Sequence, residues 1–99
     1  MKQNQFSPVV VDLGEVHVGK KVVIIYTREE EKDDIELVVA SCGCSKPEVK
    51  GNKIEVVYTP QPIPQHLKNQ GFYLSTKVIT IMYKDGSKET LKFTGKVTK

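Results

Sequence analysis

Apolar and polar residues alternate with a period of two along most of this chain, and turn-forming residues interrupt the alternation at short intervals. Pro8–Leu13 (PVVVDL) is a short apolar run behind a proline, which suits an edge strand. Lys20–Thr27 (KKVVIIYT) is β-branched and apolar on both faces, the pattern of a central strand. Arg28–Asp34 (REEEKDD) is a charged break and reads as a solvated loop, after which Ile35–Ala40 (IELVVA) resumes a strand. Glu48–Thr59 (EVKGNKIEVVYT) reads as a hairpin: Gly51-Asn52 supplies the turn, and Ile54, Val56 and Tyr58 then share one face. Pro60–Gly71 (PQPIPQHLKNQG) cannot be regular sheet, because its prolines lack the ladder donor. Phe72–Tyr83 (FYLSTKVITIMY) is a long strand with a break expected near Ser75, and Asp85-Gly86 is the strongest hairpin signal in the chain. In the last segment Leu91, Phe93 and Val97 point one way and Lys88, Lys92 and Lys96 the other. About seven short strands and no convincing helix predict an all-β fold, an Ig-like antiparallel β-sandwich forming a single domain over residues 1–99.

Composition narrows the class. A chain of 99 residues buries about 60–68% of its unfolded surface, enough for one small core. Hydrophobic residues make up 38% and charged residues 27%, ordinary for a globular protein. No run of 18 apolar residues occurs, so no membrane partner is expected. The start, MKQNQFSPVVVDLG, lacks a signal-peptide core; the expectation is a cytoplasmic or virion-associated product, or an envelope protein whose leader was removed. Residues 1–49 hold 6 basic against 9 acidic side chains (6 − 9 = −3), and residues 50–99 hold 9 against 3 (9 − 3 = +6). Of the 15 basic residues only Arg28 is arginine, and the chain has no tryptophan. Nucleic-acid readers use arginine for base edges and aromatics for stacking, so no nucleic-acid partner is expected.

Candidate chemistry is confined to Val38–Val49 (VVASCGCSKPEV), which holds both cysteines, Cys42 and Cys44, around Gly43. The first reading is a structural corner in which one thiol is buried as a small hydrophobe while Gly43 permits a sharp turn. A labile disulfide is the second: residues two apart in an extended chain sit near the limit of disulfide reach, and Gly43 has to bend the chain. A metal or catalytic role is the third. Zinc needs four ligands, or three and a water, while His17 and His66 lie in separate turn-like segments without paired spacing; no cofactor is expected. Cys-x-Cys also differs from the Cys-x-x-Cys of redox enzymes, where a helix follows. No Ser-His-Asp pattern is apparent. The acidic run lacks the alternate spacing and glycine of a calcium loop. Gly14–Lys21 misses the Ser or Thr of a phosphate loop.

Several motifs fall in a familiar order. VVVDLGEVHVGKKVVIIYT, SCGCSKPEV, the hairpin, GFYLSTKVITIMY and a closing LKFTGKV together resemble an uncharacterised bacterial family of Ig-like domains built around an S-C-G-C motif, akin to major-sperm-protein and ASH-type sandwiches. The resemblance runs from about Val10 to Val97, and Ser41–Cys44 and Gly95 are its most specific parts. Where the family has an asparagine-threonine-glycine type turn, this chain has REEEKDD; members also carry a secretion signal or sit in larger chains. The resemblance implies a fold and brings no reaction.

These readings point to a non-enzymatic interaction module, with function carried by loops and edges. The proline-rich loop is the first docking candidate, with Pro60, Pro62 and Pro64 stiffening it and Ile63 and Leu67 as exposed apolar anchors; the alternative is that both pack on the sandwich. Lys88, Lys92 and Lys96 protect a sheet edge or dock on an acidic partner. The expected role is an accessory, auxiliary or decoration subunit of a large protein assembly such as a bacteriophage capsid or tail. The alternatives are a thiol- or metal-handling domain using Cys42 and Cys44, and an adhesion-type module that binds a peptide strand at a sheet edge.

Overall fold

Strand pairing is set by which turns close hairpins and which segments cross between layers. In the structure, a computed structural model that describes residues 5–99, seven strands form two facing sheets. β1 (Val10–His17), β3 (Ile35–Ala40), β6 (Phe72–Tyr83) and β7 (Lys88–Thr98) build a four-stranded sheet in the order β1-β7-β6-β3. β2 (Val22–Thr27), β4 (Ser45–Lys50) and β5 (Lys53–Tyr58) build a three-stranded sheet in the order β2-β5-β4. The all-β sandwich expected from the alternation is the fold observed. Helical structure among the described residues is one 3-10 turn, Gln65–Leu67, and no helix there is long and apolar enough to cross a membrane.

Both hairpins form where glycine permits them. Gly51 (φ +60°) turns β4 into β5, and Gly86 (φ +90°) turns β6 into β7. The β6–β7 ladder is the longest, running from Phe72 opposite Thr98 to Met82 opposite Lys88. No break occurs at Ser75; its hydroxyl faces inward and accepts a hydrogen bond from Tyr58 Oη at 3.2 Å, so the polar residue does not interrupt the strand. One pairing departs from antiparallel: β1 runs parallel to β7, from Val10 beside Lys92 to His17 beside Thr98. The register slips between Asp12 and Glu15, where the Gly14 N–H is held by Asp12 Oδ1 at 2.9 Å. The slip is an irregularity inside one strand.

Two strand positions differ from the sequence reading. β2 is an edge strand, not a central one, and the second apolar row of KKVVIIYT, Val23 and Ile25, lies exposed because no layer among the described residues covers the outer face of its sheet. β7 is flanked on both sides, by β1 and β6, so its lysines do not guard an edge.

The core lies between the sheets. Ile24, Tyr26, Ile54, Val56 and Tyr58 from one layer pack with Ile79, Ile81, Leu91, Phe93 and Val97 from the other. Tyr58 meets Phe93 edge to face, ring centroids 5.0 Å apart. Buried tyrosines still need partners: Tyr26 Oη donates to the Lys92 carbonyl at 2.7 Å, tying one sheet to the other's backbone. Leu91 is fully buried while Leu74, on the outer face, is 77% exposed. Leu91→Ala is therefore expected to lower unfolding free energy by about 2–5 kcal/mol in urea titration, and Leu74→Ala to change it by less than about 0.5 kcal/mol.

Candidate functional site

The outer face of the four-stranded sheet follows from strand parity. Leu74, Val78 and Met82 of β6 lie opposite Lys96, Lys92 and Lys88 of β7 in the ladder register. β3 adds Leu37 and Val39, both exposed, on one flank. On the other flank β1 places Val10 beside Lys92 and Glu15 beside Lys96. The face therefore sets Leu74, Val78 and Met82, interleaved with Thr76 and Thr80, next to Lys96, Lys92 and Lys88, interleaved with Thr94 and Thr90. Lys96 Nζ sits 4.4 Å from the centre of the Phe72 ring. Among the described residues none of the three lysines forms an ion pair, and all three are exposed.

The proline-rich loop does not serve as a free arm. Pro60 is fully buried and Ile63 is only 8% exposed, because the loop folds back onto the end of the sandwich. The Gly19 N–H donates to the Pro60 carbonyl at 3.0 Å, and the Tyr73 hydroxyl to Gln61 O at 2.8 Å. Ile63, Pro62 and Val18 line a small apolar recess with the stems of Lys68 and Lys99. Pro62 is exposed, and Pro64 and Leu67 are half-buried. Pro60 and Ile63 are thus packing residues, while Pro62 and the lysine face stay open.

At the end of the sandwich where β6 turns into β7, buried charges tie down the N-terminal segment. Glu89 is only 5% exposed and accepts from the Gln5 N–H (3.0 Å), the Phe6 N–H (2.9 Å) and the Tyr83 hydroxyl (2.6 Å). Arg28, placed by the sequence in a solvated loop, is buried. It lies over the Phe6 ring at 5.0 Å, pairs with Asp34 at 2.9 Å, and donates to Gln5 Oε1 and the Lys32 carbonyl. Asn52 clasps the Arg28 backbone from both sides: its carbonyl accepts from the Arg28 N–H, and its side-chain amide donates to the Arg28 carbonyl. Burial, then the hydrogen bond to Glu89, pushes the Tyr83 hydroxyl well above its usual range. Burial alone pushes Tyr26 from 10.0 to about 12.

The cysteine corner is where the chain leaves the β3 edge and enters β4 of the other sheet. Cys42 and Cys44 form a disulfide, with Cα atoms 5.2 Å apart, so neither sulfur is a free thiol packed as a hydrophobe. The chain bends enough for this through a turn in which the Ser45 N–H reaches the Cys42 carbonyl at 3.1 Å. Gly43 does not adopt a positive φ, and a Cβ there would meet open space. Cys44 is 7% exposed and belongs to the core; Cys42 packs against its margin. A loop of three residues restrains the unfolded chain by roughly 1.5 kcal/mol at 25 °C, against about 4.7 kcal/mol for a hundred-residue loop. No group of three or more His, Cys, Asp or Glu among the described residues is placed to hold a metal ion. His17 Nδ1 instead lies 3.0 Å from Thr98 Oγ1, and His66 sits exposed on the 3-10 turn.

Two outcomes follow from the buried polar groups. Glu89→Ala leaves two backbone N–H groups and one hydroxyl without their acceptor, so it is expected to cost more than Tyr83→Phe, each lost partner contributing about 1–3 kcal/mol in urea titration. Tyr26 and Tyr83 stay protonated in the fold at a pH where the unfolded chain ionises. Both contributions are whole below pH 10.0; that of Tyr26 is lost as pH climbs toward about 12 and that of Tyr83 goes on being lost above it, so the urea midpoint is expected to fall from pH 10.0 upward and to fall less in Tyr26→Phe.

No protein-family model, curated protein or solved structure matches the chain.

Proposed function

We propose that this domain is a non-enzymatic docking module, an accessory subunit that attaches to a larger protein assembly through the outer face of its four-stranded sheet. A bacteriophage capsid or tail is the assembly to test first. The observation that carries the reading is the pairing of columns: Leu74, Val78 and Met82 stand beside Lys96, Lys92 and Lys88, with Leu37 and Val39 extending the apolar side. An apolar ridge supplies burial, while a line of one sign selects an acidic counterpart and orients it. Lys92 stands between Val10 and Val78, with no carboxylate opposite it in either ladder, so its charge is available to a partner. The same arrangement suits a broad protein surface better than a single peptide strand, because the columns run across a sheet face rather than along an exposed edge.

Purified domain is mixed with capsid and tail particles from the same source and sedimented at several salt concentrations. Stoichiometric co-sedimentation that weakens with salt is expected, and Lys88→Glu/Lys92→Glu/Lys96→Glu is expected to abolish it while leaving the circular dichroism spectrum unchanged. Undiminished binding by that triple variant, or a domain that stays in the supernatant throughout, refutes the reading.

A further inference from the structure

The Cys42–Cys44 bridge lies outside the docking columns, and its surroundings carry a separate inference. Linkage works in both directions: whatever a disulfide adds to the stability of a fold, the fold adds to the stability of the disulfide. A bridge between residues two apart closes so short a loop that this mutual gain is at the small end of its range. The backbone on both sides is held independently of the sulfurs. The Ser41 N–H donates to the Val78 carbonyl at 2.9 Å, and the Val78 N–H to Ser41 Oγ at 3.0 Å. The Thr59 N–H donates to the Cys44 carbonyl at 2.9 Å, and Ser45 is already opposite Tyr58 in the β4–β5 ladder. None of these contacts requires the sulfur–sulfur bond.

The two sulfurs are unequally covered, and each has its own polar neighbour. Cys42 is the more accessible, and its Sγ lies 3.1 Å from the Cys44 backbone nitrogen, which donates to it. Cys44 is buried, and the Ser45 hydroxyl, buried as well, has Cys44 Sγ as its partner at 3.9 Å. Donors aimed at sulfur favour the thiolate, the form in which a sulfur leaves during exchange.

We infer that Cys42–Cys44 is an exchangeable disulfide whose substrate is a second dithiol. A thiolate of the donor attacks Cys42 Sγ, the sulfur–sulfur bond breaks, and Cys44 Sγ leaves with the electron pair beside the Ser45 hydroxyl and takes a proton from solvent. The donor's second thiolate then attacks the donor sulfur of the mixed disulfide, and Cys42 leaves as a thiolate held by the Cys44 N–H before it too is protonated. In net, the donor's two thiols become a disulfide and Cys42–Cys44 becomes two thiols.

The oxidised protein is equilibrated without oxygen in glutathione buffers of varied ratio, quenched with acid, alkylated and weighed by mass spectrometry, with circular dichroism on parallel samples. Oxidised and reduced forms are expected to coexist in these buffers, with the spectrum of the folded domain in both. A disulfide that yields to dithiothreitol only after denaturant is added, thiols that stay free in excess oxidised glutathione, or a domain that unfolds on reduction each overturns the inference. Folded Ser45→Ala is expected to exchange with dithiothreitol about tenfold more slowly, the effect of one lost hydrogen bond to a developing thiolate. An unchanged rate overturns the route through Cys44.

Discussion

Burial of one row of side chains from the β6–β7 hairpin against one row from β5 is the constraint on which the remaining structure rests. Ile79, Ile81, Leu91, Phe93 and Val97 have no exposure worth the name, and neither do Ile54, Val56 and Tyr58 across from them. Because side chains alternate, fixing this inner row also fixes the outer one. The lysines and apolar residues of the outer face are therefore not free to drift. A shift of β7 by one residue would carry Lys92 into the core and Phe93 into solvent.

Much of this was legible in the chain. Gly51-Asn52 and Asp85-Gly86 announce their hairpins locally, and Leu91, Phe93 and Val97 announce their face by spacing. The parallel partnership of β1 and β7 was not legible, since it joins residues at opposite ends of the sequence and no local pattern encodes it. The placement of β2 was misread for a related reason: apolar residues on both faces say that a strand is hydrophobic, not how many neighbours it has. Val23 and Ile25 form an apolar row on the uncovered face of the β2 sheet.

The buried charges were hidden by expectation rather than by absence of signal. Glu89 precedes Leu91 by two residues within β7, and Arg28, one residue past the end of β2, follows Tyr26 by two, so both continue the inward parity of those strands. Composition assigns such residues to the surface; parity assigns them to the interior, and parity prevails here because each finds partners. The cysteine corner was half legible. Its position as a bend followed from the sequence, but bonding between the sulfurs depended on a turn geometry that spacing alone does not settle. The proline-rich loop left two readings open, an exposed arm or a packed one. Prolines suggest an extended arm, yet Pro60 and Ile63 are apolar enough to be drawn under it.

The parallel alignment of β1 with β7 has a mechanical consequence. Val10 lies beside Lys92 and His17 beside Thr98, so the chain enters this pair of strands at one end and finishes at the other. Tension applied between the two termini would pull these neighbours past each other lengthwise, loading their cross-strand bonds together instead of peeling them one at a time. Under such a load the pair resists stretching along its strands.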